Sequence, residues 1–303
     1  MSKTTSLLFF LIVAIQLNGA IDSLINQLKL SKNDTAKIEL IIAISAEYTE
    51  MASFDSAKSY AQKAIYLSQN QGRIAQNANA HYAMGYLYDI QGALDSAIYH
   101  YERCRSQYAA IDNKIEVANA INAKGVAAYY QGEYDVALNH YLEALSYVEQ
   151  HGIDGVLSKV LNNLGIIYRI SDNNDDAIEI YKKNLKLARR LGNEEMEGTT
   201  FHNLGVAYGF NKNADTAFLY LDSSILKYQA LKIKNDEALS WIAKGEVHYE
   251  VNKNYKSAEI DLLKGLRLLG SEKSNQESVV KTCLLYTSPS PRDLSTSRMP
   301  SSA

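Results

Sequence analysis

The sequence predicts an all-α chain, an α-solenoid of stacked antiparallel helix pairs. Three observations carry this. All three prolines (Pro289, Pro291, Pro300) lie in the last fifteen of 303 residues, so the rest of the chain meets no proline break. The chain is 47% hydrophobic and holds 22 tyrosines, enough apolar and aromatic surface for an ordinary core. Most telling is a forty-residue repeat. Small residues recur at Ser45, Gly85, Gly125, Gly165, Gly205 and Gly245.

The elements follow in chain order. Residues 1–20 have the tripartite form of a secretory signal: Lys3, an apolar run from Leu7 to Leu17, then Gly19 and Ala20. The eleven residues of this run span roughly 16 Å as a helix, about half a bilayer core, so export with cleavage is expected rather than anchoring. Residues 21–32 are expected to form a capping helix, with Asp34 as the N-cap of the next one. Six repeats fill 33–270. Twelve residues after each small residue comes Ala57, Ala97, Ala137, Ala177 or Ala217, and in the sixth copy Ala258, implying one extra residue in that turn. Tyr48, Tyr88, Tyr129, Tyr168, Tyr208 and Tyr249 follow the small residue by three or four places, and Tyr101, Tyr141, Tyr181 and Leu221 by sixteen. Polar turns such as Gln91-Gly92 and Gln131-Gly132 separate the two helices of each unit. A glycine on the first helix and an alanine on the second permit a close crossing, and each hairpin must stack on its neighbours to bury its apolar face.

Residues 271–282 read as the start of a seventh repeat. From Cys283 the chain reads as a translated sequencing-library adapter, whose constant stretches encode CLLYTS, PSPRD and SRMPSSA, with Leu294 to Thr296 in the variable-index position. On that reading residues 283–303 are not native, and the natural protein is expected to continue past Thr282. Setting aside Lys3, Arg292, Arg298 and Asp293 leaves 28 basic and 33 acidic residues, a net charge of −5, with no basic footprint for nucleic acid.

The stretches NNLGIIY (162–168) and HNLGVAY (202–208), with DSAIYHY (95–101) and DVALNHY (135–141), resemble the tetratricopeptide repeat family, over about Asn33 to Gly270. The period of 40 rather than 34, and the missing unit-closing proline, resemble the longer-helix subclass of Pins-type adaptors and MalT-like regulators. On this resemblance Gly85, Ala97, Gly125, Ala137, Gly165, Ala177, Gly205, Ala217 and Gly245 are the structural repeat positions. The resemblance also implies that the first helices line a concave groove whose inner asparagines contact peptide. The groove candidates are Tyr82, Asn119, Asn122, Tyr129, Lys159, Asn162, Arg169, His202 and Phe210. Amides can hydrogen-bond an extended peptide, and Lys159 and Arg169 can hold a carboxylate.

No catalytic or cofactor motif is present in the sequence: no phosphate loop, dinucleotide fingerprint, metalloprotease helix or nucleophile elbow. No cofactor and no metal are expected. His100 and His140 occupy equivalent places in successive repeats, about 10 Å apart, too far to share a metal. Cys104 stands where other repeats have alanine, so it reads as a small core residue. Asp172, Asp175 and Asp176, and Glu194 and Glu195, fall near helix starts, where carboxylates favour the dipole. They lack the spacing of a calcium loop. Lys182, Lys183, Lys186, Arg189 and Arg190 read as a solvated basic face. The expectation is a non-catalytic, exported scaffold that binds protein or peptide and not nucleic acid. It is expected to be the sensory part of a signal-transduction regulator of the histidine kinase type, with a membrane span only beyond residue 282. The alternatives are a free-standing exported adaptor, or the N-terminal part of an enzyme whose catalytic domain follows.

Overall fold

A computed structural model of the chain describes residues 19–270, and these form thirteen helices with no strand. Residues 1–18 of the segment read as a secretory signal, residues 271–282 read as the start of a seventh repeat, and residues 283–303 read as adapter-derived lie outside the described residues. Helix α1 spans 19–30. It is followed by α2 (Asp34–Glu50), α3 (Phe54–Asn70), α4 (Ile74–Ile90), α5 (Leu94–Ala110), α6 (Lys114–Tyr130), α7 (Tyr134–His151) and α8 (Asp154–Ile170). The series ends with α9 (Asn174–Leu191), α10 (Glu194–Phe210), α11 (Ala214–Leu231), α12 (Lys234–Glu250) and α13 (Tyr255–Leu269). From α2 to α12 a helix begins every twenty residues, so two helices make the forty-residue unit. The even-numbered helices are the first helices of their hairpins.

The turns explain the regularity. Each closes with a residue in the left-handed region, also at twenty-residue intervals: Ala52, Gly72, Gly92, Asp112, Gly132 and so on to Lys232. Ser53 N–H donates to Tyr48 O while Ala52 N–H donates to Thr49 O, the paired bonds of a Schellman closure. Proline is not needed to stop these helices, because the left-handed residue does so. In the last hairpin that residue is Lys253, one place late, and Ala258 on α13 is shifted with it. At the other end, Asn33 rather than Asp34 caps α2, its side chain accepting from Ala36 N–H at 3.1 Å. Asp34 is instead the first helical residue, ion-paired with Lys37 at 3.3 Å. The expectation erred by one place because both side chains are good caps.

Within each hairpin the small residue does something specific. A Cβ built on Gly85, Gly125 or Gly165 would lie 2.8, 2.6 or 2.3 Å from the ring of Tyr101, Tyr141 or Tyr181. On Gly205 it would lie 2.5 Å from Leu221. The glycine is therefore a flat seat for the large residue sixteen places on, and that residue is fully buried. In the first hairpin the partner is Ala61, and there a serine fits: Ser45 Oγ donates to Ala57 O at 2.7 Å.

The chain divides into two compact units, meeting at Asn163 and Leu164 within α8. In the first unit, consecutive helices from α2 to α7 pack in sequence, and α2 touches α4 as α4 touches α6. Their interior is small: Ala57, Ala61, Ala64, Ala80 and Ala97 are completely buried beside Ile38, Ile44 and Leu87. In the second unit, α9 to α13 pack in the same order, around Ala177, Leu204, Ala217 and Leu221.

Candidate functional site

In the first unit the faces of α2, α4 and α6 carry three recesses, of about 350, 470 and 260 Å³. Tyr82, 40% exposed, borders all three. Asn79, Asn119, Asn122 and Lys159 gather in the smallest one, with Glu116 and Tyr108. Four of the groove candidates, Tyr82, Asn119, Asn122 and Lys159, therefore meet. The amides are already partly engaged. Asn119 Nδ2 donates to Glu116 at 3.2 Å, Asn163 Nδ2 donates to Asn122 Oδ1 at 3.0 Å, and the Tyr108 hydroxyl donates to Asn79. Each keeps further capacity for a backbone-like ligand.

Tyr129 is half-buried, edge-on to Tyr130 at 5.2 Å and tilted against Tyr134 of the next helix at 6.1 Å. Its neighbour Tyr130 is the exposed ring and lines the 470 Å³ recess with Tyr86 and Asp89. Asp89, also on this recess, is not among the groove candidates. It is 8% exposed, and Gln131 reaches back from the next repeat to donate to the Asp89 backbone oxygen at 3.2 Å. Asn162 is half-buried at the end of the first unit.

The second unit holds the other three candidates. The Arg169 guanidinium lies over the Phe210 ring at 5.1 Å, a cation–π contact. His202 faces Ser240 Oγ at 3.1 Å. Its imidazole is pushed down to about 4 by burial, with a further push from the charge of Arg169. Phe210 is 57% exposed and borders an apolar recess of about 340 Å³ with Val206, Val247 and Tyr249.

Two clusters lay outside the sequence reading. His81 on α4 and His100 on α5 face each other, Nδ1 to Nδ1 at 3.0 Å. Burial, their mutual proximity and Arg103 push His81 down to about 4, and burial and Arg103 do the same to His100. The pair was missed because His100 was compared with His140, its repeat equivalent, rather than with the helix across its own hairpin. Lys124 is buried, and its ammonium lies 2.9 Å from Glu102 and 3.4 Å from Glu143; Arg105 closes the network at 2.8 Å from Glu102. Lys244 repeats the motif in the second unit, 2.6 Å from Asp222. Cys104 is buried, and its thiol is pushed up to about 12, chiefly by burial. Asp175 and Asp176 lie in the first turn of α9, and Glu194 and Glu195 in that of α10. Among the described residues no group of three or more His, Cys, Asp and Glu could hold a metal ion. No helix of the described residues is long and apolar enough to cross a membrane.

These geometries define a helical-repeat scaffold with recesses on its first helices. Residues 156–225 match the tetratricopeptide repeat family. No significant match is found among curated proteins. Among solved structures, the chain resembles the apo form of RapI, with a TM-score of 0.66 and 14% identity over 93% of this chain and 85% of that one. It also resembles the apo form of the quorum sensor NprR from B. thuringiensis, with a TM-score of 0.60 and 12% identity over 93% and 85%. A third is a Rap protein complexed with Competence and Sporulation Factor, with a TM-score of 0.58 and 13% identity over 90% and 74%. At these identities the likeness is one of fold.

Proposed function

We propose that the chain is a non-catalytic binding scaffold that takes an extended peptide, or a peptide-like segment of a protein, along the first-helix face of its N-terminal unit. The observation that carries this is the run of three recesses joined through Tyr82, with amides and phenols spaced along it. Amides meet a peptide backbone on both its donor and acceptor sides, and phenols offer rigid area at low entropic cost. A Rap protein of the same fold is complexed with Competence and Sporulation Factor, which supports a binding role for such a scaffold.

The finer reading is that residues 1–20 direct export and that the scaffold is the sensory part of a signalling regulator; the quorum sensor NprR shares its fold. A free-standing adaptor and the front of a longer enzyme are the competing readings. The test uses a displayed library of random dodecapeptides selected on the full chain. Asn119→Ala with Asn122→Ala should weaken the selected peptides about tenfold while leaving the helical signal and urea midpoint close to those of the parent. Undiminished binding would move the site off this face. A fusion of residues 1–20 to a reporter active only outside the cytoplasm tests export, and an inactive fusion would remove it.

A further inference from the structure

The largest recess of the first unit combines a buried carboxylate with phenol rings. Asp89 is 8% exposed and borders the recess together with Tyr82, Tyr86, Tyr101 and Tyr130. Among the described residues no lysine, arginine or histidine pairs with it, and no basic side chain lines the recess. Its charge is felt by the phenols around it: Asp89 contributes to raising Tyr82, Tyr86 and Tyr101, each of which is raised first by burial. Burial also raises the Asp89 carboxyl itself, against a smaller opposing effect from the Gln131 side chain.

A buried carboxylate met by the Gln131 amide but by no cation is a cost in a fold that could have placed asparagine there. The neighbouring recesses carry the same sign. Glu39 borders one of them, and Glu116 the other, opposite Lys159. The face therefore presents three carboxylates against one ammonium. Aromatic rings attract cations through their quadrupoles, and a carboxylate at the base of an aromatic recess supplies the counter-charge. The tyrosines are also the right size: a recess of about 470 Å³ admits a long basic side chain together with some of its backbone.

We infer that this recess takes the cationic side chain, lysine or arginine, of a bound peptide, with Asp89 as its counter-ion and Tyr82, Tyr86 and Tyr130 enclosing its stem and head. The inference rests on the proposed groove and adds its specificity: the partner is basic. This reverses the sense of the sequence-based expectation, in which Lys159 and Arg169 hold a carboxylate. Lys159 shares its recess with Glu116, and Arg169 lies against Phe210.

The experiment uses the full chain and the dodecapeptides selected above. Selected sequences should be enriched in lysine or arginine. Replacing that one residue by glutamine in the peptide should weaken binding about tenfold, and so should Asp89→Asn; the two together should cost no more than either alone. Tyr130→Ala, at a ring 72% exposed and so unable to disturb the core, should weaken binding about fivefold. Asp89→Asn should leave the urea midpoint unchanged or raise it, since it removes a buried charge. Acidic or apolar selected peptides, or binding indifferent to both Asp89→Asn and Tyr130→Ala, would overturn the assignment. Displacement of the peptide by micromolar free spermidine, with no basic residue required in the peptide, would also overturn it and make the recess a small-amine site. Peptides that bind the Asn119→Ala, Asn122→Ala variant undiminished would instead sink the groove reading itself.

Discussion

The glycine seat under Tyr181 gives a sharp energetic expectation. In an exposed helix interior, Gly→Ala stabilises by about 1 kcal/mol. At Gly165 the added Cβ would meet Tyr181 Cε1 at 2.3 Å and Cζ at 2.4 Å, against an ordinary carbon contact of about 3.5–4.0 Å. The ring is 1% exposed and packed beside Ala177 and Leu204, so it has no free direction in which to retreat by more than an ångström. Overpacking of this kind costs about 1–3 kcal/mol and outweighs the propensity gain. Gly165→Ala should therefore destabilise, while Gly155→Ala, where nothing lies within 4 Å of the new Cβ, should be neutral or slightly stabilising. The decisive arm is a cycle. Tyr181→Ala empties the seat, as Ala61 does opposite Ser45, and in that background Gly165→Ala should cost nothing. The coupling should be about 2 kcal/mol or more, read from urea unfolding followed by far-ultraviolet circular dichroism. An equal loss with and without the tyrosine, or a gain in the parent like that at Gly155, would refute the seating argument.

Other expectations follow from the same structure. Lys124→Met should stay within about 1 kcal/mol of the parent, because Glu102 and Glu143 are about two-fifths exposed and can return to water. A loss above about 3 kcal/mol would show that the ion pairs themselves hold α5, α6 and α7 together. Asp112→Gly and Lys232→Gly, at φ of 53° and 59°, should each raise stability by up to about 1 kcal/mol by relieving left-handed backbone; lower midpoints would contradict the Schellman closure. His81, His100 and His202 each sit at about 4 in the folded chain against about 6.5 unfolded. Above pH ~6.5 they are neutral in both states, and below it the unfolded chain takes up protons first. Stability should fall as pH drops from ~6.5 towards 4, by up to about 3 kcal/mol per histidine, and His202→Gln should flatten that slope in denaturation series at pH 7.5 and 4.5. An identical slope in the variant would remove His202 from the account.

Much of the architecture was legible because it is periodic. One glycine or serine in forty fixed the hairpin, and the slip to Ala258 announced the extra residue before α13. What periodicity could not show is which residues meet across a hairpin. It aligned His100 with His140, whereas the contact is between His81 and His100, nineteen residues apart on antiparallel helices. It also ranked amides and cations above carboxylates in the groove. Asp89 carries no repeat signature, and it is contacted by Gln131, forty-two residues away. The seat function of the glycines was half visible: the plus-sixteen tyrosine was seen as a recurrent large residue, and its stacking on the glycine needs the crossing geometry.

Tyrosine footprinting tests the binding face most directly. Tyr130 on α6 is 72% exposed and Tyr82 on α4 is 40%, while Tyr66 on α3 and Tyr99 on α5, both on second helices, are 65% and 59%. Nitration of the full chain with and without a selected dodecapeptide, read residue by residue by mass spectrometry, compares the two faces in one sample. The expected result is protection of Tyr130 and Tyr82 with Tyr66 and Tyr99 unchanged. Protection of Tyr66 and Tyr99 with Tyr130 still reactive would place the ligand on the second helices and contradict the assigned site.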